Sequence, residues 1–236
     1  MANLYLIPTT LGESGTAHII PAEVSDIARG IKYFIVENIR TARRYLRKLD
    51  AQLNIDELVF FELNQHTDSQ IIAGYLDPIA QGFNVGIISE AGCPGVADPG
   101  AEVVKHAHNR SIRVIPLVGP SSILLSLMAS GMNGQNFAFI GYIPVKPDDR
   151  VKAIREIERR SAIENQTQIF IEAPYRNSPL IIDLIKTLSE NTRLCVACDL
   201  TLETEFIKTQ TVAHWKKEIP DLNKRPAIFL IQAGRQ

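Results

Sequence analysis

Apolar and polar positions follow two different rhythms along this chain. Short apolar runs bounded by Gly, Pro and polar residues lie over residues 4–8, 32–36, 58–63, 85–89 and 112–118. Each has the length of a buried strand. Between them the spacing is helical. One helix opens at Pro21, where proline suits a first helical position. Others cover 38–49, 67–81 interrupted by Pro78, and a stretch ending near Asn109. Over 38–49, Ile39, Ala42, Leu46 and Leu49 form an apolar stripe for a sheet. Strands alternating with helices predict parallel pairing with right-handed crossovers. The second half is different. Strands over 137–142 and 168–172 flank a charged helix over 148–160, and a helix over 178–189 follows. Three strands over 194–199, 205–210 and 227–232 close the chain, with a short helix around 212–218. A strand-rich ending of this kind predicts a mixed sheet. The expected fold class is α/β in two domains: a parallel-type α/β domain over 1–118 and a mixed-sheet α/β domain over 119–236.

Composition changes this picture little. The chain has 236 residues, 45% hydrophobic and 22% charged, the balance of an ordinary globular protein. Core-forming material is ample without a disulfide or metal staple. Net charge is −1, with 10 Lys+Arg against 13 Asp+Glu up to residue 118 and 15 against 13 after it. Neither half is a polyelectrolyte binder, so any nucleic-acid contact must come from a local patch. The opening residues lack the basic start and long apolar stretch of a signal peptide. No segment approaches the ~18 apolar residues of a membrane span. A cytoplasmic protein with no membrane partner is expected. Cys195 and Cys198 form a C-x-x-C inside a predicted strand. Side chains three apart on a strand point to opposite faces, so they read as core-filling thiols and no metal is expected.

Ligands of parallel α/β sheets sit beyond the carboxyl ends of the strands. Three Gly/Pro loops, over 8–12, 89–100 and 118–122, all follow strands. In the longest, glycines at 92, 95 and 100 permit close approach or positive φ, and prolines at 94 and 99 stiffen it. Asp98-Pro99 reads as a helix start. Such a loop suits a cofactor gripped by main-chain groups, or else is a strand-to-helix turn. It matches neither the dinucleotide nor the Walker pattern. Ser121 and Ser122 either cap the next helix or present hydroxyls to a ligand. Separately, Arg40, Arg43, Arg44 and Arg47 recur at i, i+3, i+4 and i+7 on one helical face. That stripe is either a solvated surface or a strip that tracks phosphates.

Several ordered motifs carry a family resemblance. They are L-I-P-T-T-L-G over 6–12, S-E-A-G-C-P-G-V-A-D-P-G over 89–100, I-P-L-V-G-P-S-S over 115–122 and G-Y-I-P over 141–144. Together they resemble the tetrapyrrole (corrin/porphyrin) methylase superfamily, most of all its small-subunit ribosomal RNA cytidine 2′-O-methyltransferase branch. The match runs from about Leu4 to Gln232. The resemblance implies a two-domain α/β homodimer with S-adenosylmethionine in the cleft between the domains. By position it assigns cofactor binding to Pro8, Gly92, Cys93, Val96, Ser121, Ser122, Tyr142, Ala173, Pro226 and Ala227.

The chain departs from the branch on the acceptor side. E-D-T-R is Glu37-Asn-Ile-Arg40 here, H-x-H-N is Asn64-Gln-His66-Thr67, and Y-E-S-x-H-R is Ile171-Glu-Ala-Pro-Tyr-Arg176. The C-terminal extension usual in the branch is not among these 236 residues. The resemblance thus implies a methyltransferase acting on a ribose 2′-hydroxyl of ribosomal RNA. The alternatives are a small-molecule, tetrapyrrole-like C-methyltransferase and a non-catalytic S-adenosylmethionine-binding homologue. Transfer to a ribose hydroxyl benefits from a general base, for which Glu37, His66 and Glu172 are candidates. Arg40, Arg43, Arg44, Arg47, Tyr175 and Arg176 are candidates for holding the substrate.

Overall fold

A computed structural model describes residues 2–64 and 66–234. The chain divides into two units, Met1–Ser121 and Ser122–Gln236. The first runs β1 (Leu4–Ile7), α1 (Ala22–Arg29), β2 (Tyr33–Val36), α2 (Ile39–Leu49), β3 (Val59–Glu62), α3 (Ser69–Gly74), α4 (Asp77–Ala80), β4 (Val85–Ile88), α5 (Gly100–Asn109) and β5 (Val114–Pro116). Its five strands pair in the order β3-β2-β4-β1-β5, every pair parallel. Both faces are covered, as a parallel sheet requires. On one face Ile7, Phe34, Val36 and Ile88 pack with Val24, Ala28, Ala42 and Leu46. On the other, Leu4, Ile35, Val85 and Ile87 pack with Ile72, Leu76, Val103 and Ala107. Successive strand residues alternate between these two cores, which the period of two dictates.

The helix over 67–81, expected to be interrupted at Pro78, is two helices. α3 starts at its cap Asp68, whose carboxylate accepts the Gln70 N–H at 2.7 Å. The break falls at Tyr75–Leu76, ahead of Pro78 rather than at it, and Pro78 sits in the first turn of α4. A proline ring clashes with the carbonyl four residues back and removes a donor, so the longer helix cannot run through Gly74.

The second unit runs α6 (Ser122–Ser130), β6 (Phe137–Tyr142), α7 (Pro147–Glu164), β7 (Thr167–Ile171), α8 (Asn177–Thr187), β8 (Arg193–Cys198), β9 (Phe206–Thr211), α9 (Val212–Trp215) and β10 (Ala227–Gln232). Its sheet has the order β6-β7-β10-β8-β9. β6 and β7 are parallel, and the other pairs are antiparallel. The core holds Phe170 stacked on Phe229 at 5.9 Å and the buried Trp215, whose indole N–H donates to the Leu194 carbonyl at 2.9 Å. α7 extends past the expected 148–160 to a left-handed cap at Asn165. Cys195 and Cys198 are free and fully buried. Burial raises both thiols, Cys198 to about 11 with the charge of Asp199 adding to it. Both are therefore unreactive packing groups. No helix is long and apolar enough to cross a membrane.

Candidate active site

Strands β4, β1 and β5 are neighbours, so the three loops that leave their carboxyl ends meet. β1 and β4 also send their onward connections to opposite sides of the sheet, an arrangement that opens a crevice at the strand ends. The Thr9 N–H donates to the Gly92 carbonyl at 2.9 Å, and the Ser89 hydroxyl donates to the same oxygen at 2.8 Å. The Cys93 thiol lies 3.4 Å from the Pro120 carbonyl, and burial raises its pKa, keeping it a donor. A Cβ on Gly119 would lie 2.2 Å from the Pro8 ring, so only glycine fits there. Gly92 has φ +76°, and a Cβ there would press on Leu11 and the Pro120 carbonyl. Asp98 braces the middle loop by accepting the Gly95 and Gly100 N–H groups at 2.7 and 2.8 Å. Pro8, Gly92 and Cys93 are thus brought to one junction, with Ser121 just beyond it in the third loop. Val96 stands exposed in the middle loop.

β2 lies beside β4, which places Glu37 near the same edge. Burial raises the Glu37 carboxyl, and the charges of Asp98 and Glu90 add to the rise, while a hydrogen bond from the Glu90 backbone opposes it. A carboxyl held half-buried among other carboxylates is a better proton acceptor than a free one. His66 is apart from this group. It lies exposed after the edge strand β3, with its backbone N–H donating to Asn64 Oδ1 at 2.9 Å. No hydrogen bond or ion pair joins its ring to Glu37 among the described residues.

Helix α2 is capped by Asn38, whose side chain accepts the Arg40 and Thr41 N–H groups. Its inner face buries Ala42, Tyr45 and Leu46. The Tyr45 hydroxyl donates to the Pro8 carbonyl at 2.6 Å, and burial pushes its phenol well up. This ties the helix to the first loop. On the outer face Arg40, Arg44 and Arg47 are exposed and have no ion pair among the described residues. Arg43 differs, because it pairs with Asp56 in the 3₁₀ turn Ile55–Glu57. That partner lies outside the helix, where the arginine spacing gives no sign of it.

In the second unit Tyr142 pairs in register with Ile171, and Ile171 with Ile228. β10 runs opposite to β7, so its start lies beside the end of β7. Tyr142, Ala173, Pro226 and Ala227 therefore share one end of this sheet. Tyr142 and Tyr175 are 64% and 63% exposed, unusual for rings in a strand end and a short turn. Glu172 is buried and accepts the Ala173 N–H at 2.7 Å and Arg176 Nη2 at 2.5 Å. Burial alone would raise its carboxyl, but these hydrogen bonds and the charges of Arg176 and Arg150 hold it below the usual carboxylate range. Arg176 stacks over the Tyr175 ring at 4.9 Å. Glu172 thus orients Arg176 and Tyr175, and its low pKa makes it a weak base.

No model of a known protein family matches the chain. Individual proteins do. The chain is 28% identical over 235 residues to ribosomal RNA small subunit methyltransferase I of Vibrio cholerae, spanning 98% of this chain and 77% of that one. It is 26% identical to the protein of the same name from Escherichia coli O157:H7, spanning 98% and 78%. Among solved structures, the methyltransferase CobJ superposes with a TM-score of 0.65 at 14% identity, covering 98% of this chain and 94% of that one. The chain is thus similar over nearly its whole length to ribosomal RNA small subunit methyltransferases, and it shares its fold with CobJ. Uroporphyrin-III-C-methyltransferase from Thermus thermophilus shares the fold at a TM-score of 0.56 and 13% identity, covering 98% of this chain and 94% of that one. The parallel sheet followed by a mixed sheet belongs to a fold that the chain shares with both solved structures. Tyr45, Thr41 and Glu90 were missing from the sequence-derived candidates. Glu90 alone had a signal, since it occupies the second position of the motif at 89–100.

Proposed function

We propose that the protein is an S-adenosylmethionine-dependent methyltransferase of small-subunit ribosomal RNA, acting on a ribose 2′-hydroxyl in the cytoplasm as a homodimer. The observation that carries the reading is the three-loop junction at the ends of β4, β1 and β5. It supports the cofactor reading, because glycines at 92 and 119 let the three loops close on one another at the strand ends, where ligands of parallel sheets sit. Pro8, Gly92, Cys93, Val96 and Ser121 would hold the cofactor in the first unit. Ser122, Tyr142, Ala173, Pro226 and Ala227 would hold it in the second. When bound, S-adenosylmethionine supplies an electrophilic methyl group on a sulfonium.

The chain's own residues do the rest. Glu37, with its raised pKa, takes the proton of the attacking hydroxyl. Arg40, Arg44 and Arg47 hold the acceptor strand by its phosphates. Tyr175 and Arg176, fixed by Glu172, offer a stacking face and a cation. The exposed cations of α2 favour RNA over a tetrapyrrole-like acceptor, which would call for a broad apolar cavity. The test is methyl transfer to small ribosomal subunits lacking the modification, read by nucleoside mass analysis. A 2′-O-methylated nucleoside is the expected product. Transfer only to carbon positions of a small molecule, or no transfer by a cofactor-binding protein, would overturn the assignment.

A further inference from the structure

We infer that a cavity in the first unit, walled by Thr9, Thr10, Thr41, Arg44, Lys48 and Glu90, is a subsite for one nucleotide of a single-stranded RNA. The inference rests on the RNA-methyltransferase reading and adds to it where a sugar and its phosphate are seated. The volume is about 230 Å³. Complete small-molecule ligands occupy roughly 300–1,000 Å³, so this cavity suits one part of a larger molecule.

Its chemistry divides in two. The inner part is hydroxyl-rich. Thr9 is 4% exposed, yet its Oγ1 has no hydrogen-bond partner. With under 1 Å² of accessible surface, that oxygen packs behind the wall and leaves contact with an occupant to the other groups. Thr10 is already satisfied, donating to the Gly12 carbonyl at 2.8 Å. Thr41 Oγ1 lies 2.6 Å from Glu90 Oε1 and 3.0 Å from the Asn38 carbonyl, and its single proton serves one of them. The second oxygen of Glu90 remains to accept a ribose hydroxyl. The outer part is cationic. Arg44 is exposed without an ion pair among the described residues, and the nearest carboxylate to Lys48 is Glu13, 4.0 Å away and 89% exposed.

Two connections fit this occupant. Arg44 also borders the open hollow formed with Arg40, Arg43 and Arg47, so a strand tracked by α2 reaches the cavity without a gap. Glu90, on the opposite wall, donates its backbone N–H to Glu37. The seated nucleotide therefore lies between the cationic helix face and the proposed base. The phosphate rests on Arg44 and Lys48, and a ribose hydroxyl on Glu90. A 2′-hydroxyl contact distinguishes RNA from DNA.

The test uses the full chain saturated with S-adenosylhomocysteine. It measures fluorescence anisotropy with a short single-stranded oligoribonucleotide and the DNA of the same sequence. The wild type binds RNA more tightly than DNA. Glu90→Gln lowers RNA affinity roughly three- to tenfold, does not weaken DNA binding and does not lower the melting temperature. Arg44→Gln with Lys48→Gln weakens both oligonucleotides and reduces the salt slope by about two, with S-adenosylhomocysteine affinity intact. Cytidine 5′-monophosphate competes better than inorganic phosphate; equal competition would mean an anion site without a sugar pocket and would overturn the proposal. Wild-type RNA preference and affinity in both variants, in a protein that methylates ribosomal RNA, would overturn the subsite alone. A wild type that neither binds RNA at low salt nor methylates it would overturn the functional reading and the subsite together.

Discussion

As the proposed base, Glu37 would carry the largest chemical demand on any single side chain of the first unit. Its carboxyl is raised by burial and by neighbouring carboxylates, so it holds its proton to a higher pH than a free carboxyl does. Glu37→Gln should lower kcat about 10²- to 10⁴-fold with little change in cofactor affinity. In the wild type, kcat/KM should rise with pH through a value above the ordinary carboxylate range, and that limb should vanish in the variant. The stability effect has the opposite sign. A carboxyl whose folded-state pKa is raised binds its proton more tightly when folded, so stability falls as pH rises from the unfolded to the folded value. Glu37→Gln should therefore raise Tm at neutral pH and leave it unchanged in acid. A variant that keeps wild-type kcat would remove Glu37 from the chemistry. Glycines and prolines made the loop junction legible in the sequence, because their backbone restrictions are local. Thr9 and Tyr45 were not legible. Whether a buried hydroxyl finds a partner depends on segments far away in the chain, such as α2 closing on Pro8.

Secondary elements were legible wherever one periodicity ran unbroken. β6 and β10 have the bounds read from their apolar runs, and α2 starts one residue after the expected Asn38, which caps it. The pattern set the break between α3 and α4 at Pro78, a little past where it falls. It also hid the ion pair of Arg43, whose partner Asp56 belongs to a separate turn. That pair is exposed and is worth about 0–1 kcal/mol. The face of α2 proposed to hold RNA is then Arg40, Arg44 and Arg47. Reversing these three to Glu should weaken binding to ribosomal RNA and reduce the salt slope by about three, one per lost phosphate contact. Tm should hardly change, since Ala42, Tyr45 and Leu46 alone dock the helix. Isothermal titrations at several salt concentrations check this. An unchanged slope would make the stripe a solvated surface.

At the scale of the whole molecule, each unit has its own core and its own kind of sheet, and the change from alternating to strand-rich patterning marked that division. What the patterning did not reveal is how much apolar surface the second unit leaves uncovered. In α6, Met128 is 78% exposed and Leu124, one turn earlier on the same face, 51%. Phe137, at the start of β6, is also exposed. Large apolar side chains exposed together on one helix face, as Leu124 and Met128 are, commonly mark a partner contact. A second copy of the chain is the partner implied by the superfamily resemblance, and a stable two-fold interface buries more than ~1,000 Å² in total. Light scattering should therefore give about twice the 26.2 kDa of one chain. Met128→Glu puts a charge on that face, and burying an unpaired charge is prohibitive. It should shift the mass toward one chain without lowering the melting temperature of the folded monomer. A wild type that stays at one chain mass at high concentration would refute the dimer, and a Met128→Glu variant that stays dimeric would move the interface off α6.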